Sequence, residues 1–244
     1  FIYQMNLMND LKCYQKSLLY WLERFTICSS VFSAQIKVLP MINVDFAQSN
    51  MIKQQLRTGN VLNNTILNLY QTLPRDTFVP RIYKQFAYSD YQIPLNHQQK
   101  MLTPLEESSL LQALNLQGTE LVLEIGTGCG YLTALLAQCS KEVISVDYYD
   151  DFTRQAKENL AKFNINNVTL HTGDAHRGWM TDAPYDVIVI TGAIKTLGDV
   201  FKTQIMKNKV LIIVLFFTTI MVSAQEKKDS FVKTGDQIEA TFFH

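Results

Sequence analysis

Residues 121–131 read Leu-Val-Leu-Glu-Ile-Gly-Thr-Gly-Cys-Gly-Tyr, and the rest of the chain is organised around this stretch. Its apolar start, residues 121–123, has the length and residue type of a buried parallel strand. Glycines at positions 126, 128 and 130 then predict a tight turn, and the leucines spaced through residues 131–138 predict a helix. A turn without Cβ atoms, followed by the free N–H groups of a helix N-terminus, suits the binding of a nucleotide.

The spacing of the glycines separates two classes of nucleotide site. The dinucleotide motif G-x-G-x-x-G would need its third glycine at position 131, where a tyrosine stands. The pattern from Glu124 to Gly130 is E-x-G-x-G-x-G, which resembles the first motif of S-adenosylmethionine-dependent methyltransferases. The next strand-like run, residues 142–146, is followed by Asp147, whose carboxylate could accept both hydroxyls of a ribose. For the glycines alone, a turn that only closes a strand–helix corner stays open as the alternative.

Charge and cysteine content narrow the range of partners. The 244 residues carry 22 basic and 22 acidic side chains, so no overall positive field indicates a nucleic-acid partner. Four cysteines, at positions 13, 28, 129 and 139, form no C-x-x-C pair. We therefore expect free thiols in a reducing cytoplasm, with no disulfide and no metal site.

Beyond the glycine turn, strands and helices alternate regularly. Apolar runs at residues 142–146, 168–172 and 185–190 predict strands, and residues 151–163 predict a helix. Continuous apolar strands are typical of a parallel sheet covered on both faces, where ligands bind at the carboxyl ends of the strands. Four residues of suitable chemistry fall at these ends: Gly126, Asp147, Asp174 and Thr191.

The two ends of the chain differ from this central part. Residues 1–40 contain no glycine and are expected to be a non-native or loosely ordered leader. Residues 41–206 are expected to form the catalytic domain, with a helical and loop part at 41–104 and a cofactor-binding core at 105–206. Residues 207–244 are expected to form an atypical tail, because its apolar run resembles a secretory signal peptide followed by a fragment. The alternative is that residues 210–217 supply the next core strand.

Six segments, in this order, closely resemble protein-L-isoaspartate O-methyltransferases over residues 46–206. They are Leu-Pro-Arg-Asp-Thr-Phe-Val-Pro (73–80), Ala-Tyr-Ser-Asp (87–90), Leu-Glu-Ile-Gly-Thr-Gly-Cys-Gly-Tyr (123–131), Asn-Val-Thr-Leu-His-Thr-Gly-Asp (167–174), Gly-Trp (178–179) and Ala-Pro-Tyr-Asp-Val-Ile-Val-Ile (183–190). The resemblance implies a class I methyltransferase fold: an α/β domain with a doubly wound, mostly parallel, Rossmann-like sheet, here with C-terminal strands that are atypical or missing. It also implies S-adenosyl-L-methionine as cofactor and the repair of isoaspartyl residues as function.

The resemblance assigns the cofactor-binding residues by position. Glu124 opens the glycine motif and is assigned with it; Gly126, Thr127, Gly128 and Gly130 would line the methionine end of the cofactor. Asp147, where the family usually has glutamate, would bind the ribose. Asp174 and Ala175, the latter at a usual glycine position, would bind the adenine.

The segment expected to bind the methyl acceptor departs from the family. Relatives have G-x-T-I-S-x-P, whereas residues 98–104 read Gln-Gln-Lys-Met-Leu-Thr-Pro, which puts Lys100 at the threonine position and Leu102 at the serine position. Because a leucine side chain has no hydrogen-bonding group, Thr103 after a register shift and Lys100 as a point charge are the catalytic candidates; a solvated loop lysine is the alternative. The expected partner is a protein or peptide substrate that carries a carboxylate. We expect the protein to be a monomer and to bind neither nucleic acid nor a membrane. The competing function is a catalytically impaired S-adenosylmethionine-binding module with a regulatory or binding role.

Overall fold

The computed structural model describes residues 43–192, 199–213, 230–234 and 237–241. All the helices and strands given below belong to one compact unit, Val44–His244. The predicted leader and residues 214–224 of the apolar run lie outside the described residues. No helix within the described ranges is long and apolar enough to cross a membrane.

Both predicted helices are present, at residues 131–138 and 151–163, although the second ends at Ala161. Their bounds are α1 Val44–Asn50, α2 Asn64–Thr72, α3 Pro104–Leu114, α4 Tyr131–Cys139, α5 Asp150–Ala161 and α6 Val200–Gln204. A π-helical segment, Met51–Leu56, continues α1, and short 3₁₀ turns lie at Arg75–Thr77, Arg81–Phe86 and Asn96–Gln98. Pro74 follows α2 and Pro104 opens α3, as expected for a residue without an N–H donor.

The strands form one large sheet and one small hairpin. The hairpin pairs β1 Ile93–Pro94 with β2 Lys100–Met101. The large sheet contains β3 Leu121–Ile125, β4 Glu142–Asp147, β5 Val168–Thr172, β6 Tyr185–Ile190, β7 Ile205–Ile213, β8 Ser230–Thr234 and β9 Gln237–Thr241. Its order is β5-β4-β3-β6-β7-β8-β9, with the first five strands parallel and the last two antiparallel. The direction of winding reverses between β3 and β6, and the glycine turn follows β3 at this switch point, where open α/β sheets bind ligands.

Side chains alternate between two hydrophobic clusters along the central strands. Val122 and Val187 belong to the larger cluster, which also contains residues of α2, α3 and α4. Leu123 and Ile188 belong to the smaller one, together with Phe201 of α6. This period of two, within strands that are apolar at nearly every position, is the pattern of a sheet covered on both faces. The predicted doubly wound α/β fold is confirmed.

The C-terminal strands, predicted to be atypical or missing, are present. β7 pairs with β6 up to Ile190 opposite Ile213, and β8 and β9 complete an antiparallel edge. The alternative for residues 210–217 is thus confirmed over residues 210–213. The correction has a simple cause: a β-prone apolar run can occupy the slot beside β6 whatever other segment it resembles.

Candidate functional site

The glycine turn joins β3 to α4 in a conformation that needs glycine. Gly126, Gly128 and Gly130 have φ values of 106°, 53° and 82°, in the region that side chains disfavour. A Cβ at Gly126 would lie 2.6 Å from both the backbone N of Gly192 and Oγ1 of Thr191. The turn therefore brings bare backbone to the carboxyl end of the sheet, as the sequence predicted.

A cleft of about 280 Å³ opens beside this turn. Its walls come from the turn, the ends of β4, β5 and β6, and the segment 95–102, which we call the acceptor loop. Of the predicted site residues, those lining the cleft are Lys100, Leu102, Gly126, Thr127, Gly128, Asp147, Asp174 and Ala175. The structure therefore brings the predicted cofactor and acceptor residues to one cavity. Three predicted residues, Thr103, Glu124 and Gly130, are not among those lining it.

Asp147 presents a carboxylate at the end of β4 and is only 7% exposed. Its Oδ2 accepts a hydrogen bond from the Gly128 N–H at 2.9 Å, and its Oδ1 accepts one from the Tyr149 N–H at 3.0 Å. Burial raises the pKa of this carboxyl, and the backbone N–H donors of Gly128 and Tyr149 partly offset the rise. Since each oxygen has a second lone pair, the carboxylate can accept further hydrogen bonds from a ligand.

Asp174 and Ala175 follow β5 on the same edge. Asp174 is exposed, and its Oδ1 accepts a hydrogen bond from the His176 N–H at 3.0 Å and lies 2.7 Å from His176 Nδ1. These contacts, the backbone N–H first, lower the pKa of the Asp174 carboxyl. Ala175 is buried in the smaller hydrophobic cluster. The pair thus offers an ionised carboxylate beside an apolar surface.

Glu124 supports the turn from behind instead of facing the cleft. Its side chain is fully buried, and Oε2 accepts hydrogen bonds from Thr133 at 2.5 Å and Ser145 at 2.6 Å. Burial raises the pKa of this carboxyl to about 7, although the two hydroxyl donors lower it. The predicted cofactor contact is corrected accordingly: Glu124 ties β3 to β4 and α4. Gly130 also packs, since a Cβ there would lie 2.8 Å from the Cβ of Ala156.

Thr103 is committed to the start of α3 and does not line the cleft. Its hydroxyl accepts a hydrogen bond from the Glu106 N–H at 3.2 Å, while its own N–H donates to Glu106 Oε2 at 2.8 Å. This capping box fixes the register of the loop, so the shift that would move Thr103 into the serine position does not occur. The structure therefore gives Thr103 a capping role at the start of α3 and does not bring it to the cleft. Lys100, exposed in β2, remains at the cleft, and Leu102 is buried at its wall.

The acceptor loop is fastened to the start of α5. The ring of His97 stacks on that of Tyr149 with centroids 3.8 Å apart and 2° between the planes, and its Nε2 lies 3.0 Å from Asp151 Oδ1. Asn96 Nδ2 donates to Asp151 Oδ2 at 3.1 Å. The Asn96 bond and then the His97 contacts lower the pKa of the Asp151 carboxyl. Two adjacent residues of the loop, Asn96 and His97, therefore attach it to the first turn of α5.

A buried ion pair behind the cleft was not predicted. Arg75 and Glu107 are 0% and 1% exposed, and Arg75 Nη1 donates to Glu107 Oε2. Burial raises the pKa of the Glu107 carboxyl above its ordinary value, and the Arg75 charge opposes this rise. The signal in the sequence that could have indicated this ion pair is an arginine between two apolar segments, since a buried arginine needs a partner.

The described part of the chain shows where two of the four cysteines lie and how possible metal ligands are distributed. No group of three or more His, Cys, Asp or Glu side chains there could hold a metal ion. Cys129 and Cys139 are free thiols, while Cys13 and Cys28 lie outside the described residues.

Known proteins of one family resemble this chain in sequence and in fold. A protein-L-isoaspartate O-methyltransferase from Dictyoglomus thermophilum is 35% identical over 158 residues, which cover 65% of this chain and 72% of that protein. One from Rhodopseudomonas palustris is also 35% identical, over 65% of this chain and 64% of that protein. Among solved structures, a protein-L-isoaspartate O-methyltransferase superposes with a TM-score of 0.67 at 21% identity, covering 80% of this chain and 63% of the other.

The sequence model of the family "Protein-L-isoaspartate(D-aspartate) O-methyltransferase" matches residues 46–243. The match reaches beyond Met206, where the resemblance was expected to end, and includes β7, β8 and β9. Because it covers most of the chain, and the fold, the glycine turn and the cleft agree with it, the chain belongs to the protein-L-isoaspartate(D-aspartate) O-methyltransferase family.

Proposed function

We propose that this protein binds S-adenosyl-L-methionine in the cleft and methylates the free carboxylate of isoaspartyl residues in other proteins, as part of protein repair. Family membership supports this activity over a module that binds the cofactor without catalysis. The observation that carries the proposal is the composition of the cleft. The same cleft is lined by bare glycine backbone, by the Asp147 carboxylate and by the acceptor loop with Lys100.

The residues present fit the cofactor. Glycine at 126 and 128 lets a ligand approach the backbone closely, and a Cβ at Gly126 would overlap Thr191 and Gly192. Asp147 would accept hydrogen bonds from the ribose hydroxyls, and Asp174 and Ala175 would bind the adenine. When bound, S-adenosyl-L-methionine supplies a methyl group already activated by its sulfonium.

The residues that bind the isoaspartyl substrate have to attract its carboxylate and align it with the methyl group; they do not have to act as an acid or a base. An isoaspartyl carboxylate is ionised at neutral pH, so no side chain has to remove its proton before an oxygen attacks the methyl group. We assign Lys100 to bind this carboxylate as a point charge. Leu102 contributes no donor from its side chain, and its apolar bulk excludes water from the cleft wall.

The proposal is tested with the full chain, radiolabelled S-adenosyl-L-methionine, an isoaspartyl peptide and its normal aspartyl counterpart. We expect base-labile label on the isoaspartyl peptide alone. Removing the charge with Lys100→Met should raise the KM for the peptide about tenfold, the effect of about 1.4 kcal/mol. Lys141→Met is the matched control, because Lys141 is exposed just before β4, at the opposite end of that strand from Asp147.

The alternative function predicts a different result from the same samples. Titration of S-adenosylhomocysteine by calorimetry would then give binding, while neither peptide is labelled. If the double variant Lys100→Thr with Leu102→Ser restored labelling, the acceptor loop would be the cause of the inactivity. We also propose that the protein acts as a monomer in the cytoplasm; sedimentation of the full chain checks the first point and fractionation of its host cells the second.

A further inference from the structure

The guanidinium of Arg75 has three partners, each on a different segment. Nη1 donates to Glu107 Oε2, and Nη2 donates to the backbone carbonyl of Leu102. The Cζ atom lies 5.0 Å from the centroid of the Tyr131 ring, within the range of a cation–π contact. Arg75 itself is fully buried and is not among the residues lining the cleft.

These partners belong to two different parts of the cleft wall, the acceptor loop with α3 and the start of α4 after the glycine turn. Leu102 ends the acceptor loop, and Glu107 lies on α3, which follows that loop. Tyr131 is the first residue of α4, directly after the glycine turn, and its hydroxyl donates to the Leu73 carbonyl at 3.3 Å. Leu102, Glu107 and Tyr131 all line the cleft. A single guanidinium thus connects the acceptor side to the cofactor side from behind.

We propose that Arg75 and Glu107 are positioning residues: together they hold the backbone of the acceptor loop at a fixed distance and direction from the glycine turn. The inference rests on the proposed function. It explains how a loop with leucine at the serine position keeps its place, because the contact that holds Leu102 uses its carbonyl oxygen and is independent of its side chain. Lys100 lies two residues away on the same backbone.

The energetics favour positioning over stabilisation as the role of this pair. Removing two charges from water costs several kcal/mol per ion, so well-packed apolar residues are often as stable as a buried ion pair. A planar guanidinium, however, fixes the direction of each hydrogen bond, which an apolar contact does not. Alignment matters for this reaction, since a displacement of about 1 Å can cost about 100-fold in rate.

The test replaces the pair by apolar residues of similar size, Arg75→Met with Glu107→Leu, in the full chain. Arg154→Met is the matched control, because Arg154 forms an exposed ion pair with Asp150 on α5. Three quantities are measured: urea unfolding, affinity for S-adenosylhomocysteine, and hydrogen–deuterium exchange of backbone amides. Turnover of the isoaspartyl peptide is measured on the same samples.

We expect the double variant to unfold cooperatively and to bind S-adenosylhomocysteine within about threefold of the wild type. Exchange at Met101 and Leu102 should increase at least about tenfold, while exchange in the glycine turn stays unchanged. Turnover should fall by about 100-fold although the protein is folded, the loss expected for misalignment. The Arg154→Met control should change none of these quantities.

Two results would overturn the inference: unchanged exchange in the acceptor loop, or an increase shared equally by the glycine turn and α3, which indicates a general loss of packing. If the double variant does not fold, Arg75→Lys takes its place with the same readouts, because lysine keeps the charge beside Glu107 but lacks the planar guanidinium that also reaches the Leu102 carbonyl. If the wild type shows no turnover, the proposed function fails, but the exchange measurement still decides whether the pair positions the loop.

Discussion

Glu124 should make the protein less stable as the pH rises through the neutral range. Its carboxyl is fully buried behind the glycine turn, and one oxygen, Oε1, has no hydrogen-bond partner within the described part of the chain. Burial raises its pKa from an ordinary 4.5 to about 7. Between these values the folded protein keeps a proton that the unfolded chain has lost. Stability is therefore greatest below about pH 4.5 for this group and is lost as the pH rises towards 7.

The size of the effect follows from the shift. A difference of about 2.5 pKa units at about 1.4 kcal/mol per unit gives about 3 kcal/mol in total. Most of this lies between about pH 5 and about pH 8, where we expect a loss of about 2–3 kcal/mol in the free energy of unfolding. Burial also raises the pKa of the Glu107 carboxyl, so its titration changes the stability of the wild type in the same direction.

The assay is urea unfolding followed by circular dichroism at both pH values, for the wild type and Glu124→Gln. Glutamine keeps an oxygen that can accept from Thr133 and Ser145 but does not titrate. Glu107 contributes nearly equally to both proteins, so the difference between them isolates Glu124. If the two proteins lose stability in parallel between these pH values, Glu124 is not protonated in the folded state and the argument from burial is refuted.

Three further predictions concern the cleft. Asp147→Asn should weaken S-adenosylhomocysteine binding by about 1.5–3 kcal/mol, the range for hydrogen bonds to a charged group, whereas Asp150→Asn, an exposed control, should not; equal affinities by calorimetry would contradict the ribose assignment. Gly126→Ala should destabilise the protein by about 1–3 kcal/mol and reduce binding, because its Cβ would overlap Thr191 and Gly192; Gly118→Ala, at φ 84° with open space around it, measures the backbone strain alone in the same unfolding assay. Gln98→Gly should stabilise the protein by up to about 1 kcal/mol, because Gln98 has φ 58°, a conformation that glycine adopts more easily. Gln99→Gly, at φ −79°, should not stabilise it. If thermal unfolding shows that both variants are destabilised equally, the backbone at Gln98 is not strained.

The sequence predicted the parts of this protein that depend on local pattern. Residues 121–139 contain an apolar strand, three glycines and a helix with regularly spaced leucines, all consecutive in sequence. Their structure could therefore be predicted from the local pattern alone. The edge of the sheet where ligands bind followed from topology, and Asp147 and Asp174 were found because strands of a parallel sheet end together. The C-terminal strands were misjudged because composition matched two kinds of segment, and only pairing with β6 distinguishes them.

The sequence did not reveal which polar side chains are buried or already hydrogen-bonded to a neighbour. Glu124 belongs to the glycine motif in sequence. In the structure, however, its side chain lies on the face of β3 where the hydroxyls of Thr133 and Ser145 donate hydrogen bonds to it. Thr103 offered a hydroxyl close to the expected serine position, but Glu106, three residues on, commits it to a capping box. In both cases a plausible ligand residue was already used by a neighbour.

Arg75 and Glu107 show the same limit over a longer range, because 32 residues separate them in sequence. Each lies in a segment with a sufficient local explanation: a proline-bounded turn for the arginine and the first turn of a helix for the glutamate. Only folding places one beside the other and beside the Leu102 carbonyl. This also changes the meaning of the leucine at position 102. A side-chain comparison counts it as the loss of a hydroxyl, whereas the structure shows that its backbone oxygen is held by a charged donor. Substitution at this position therefore alters what the loop can offer an acceptor without releasing the loop from the cleft.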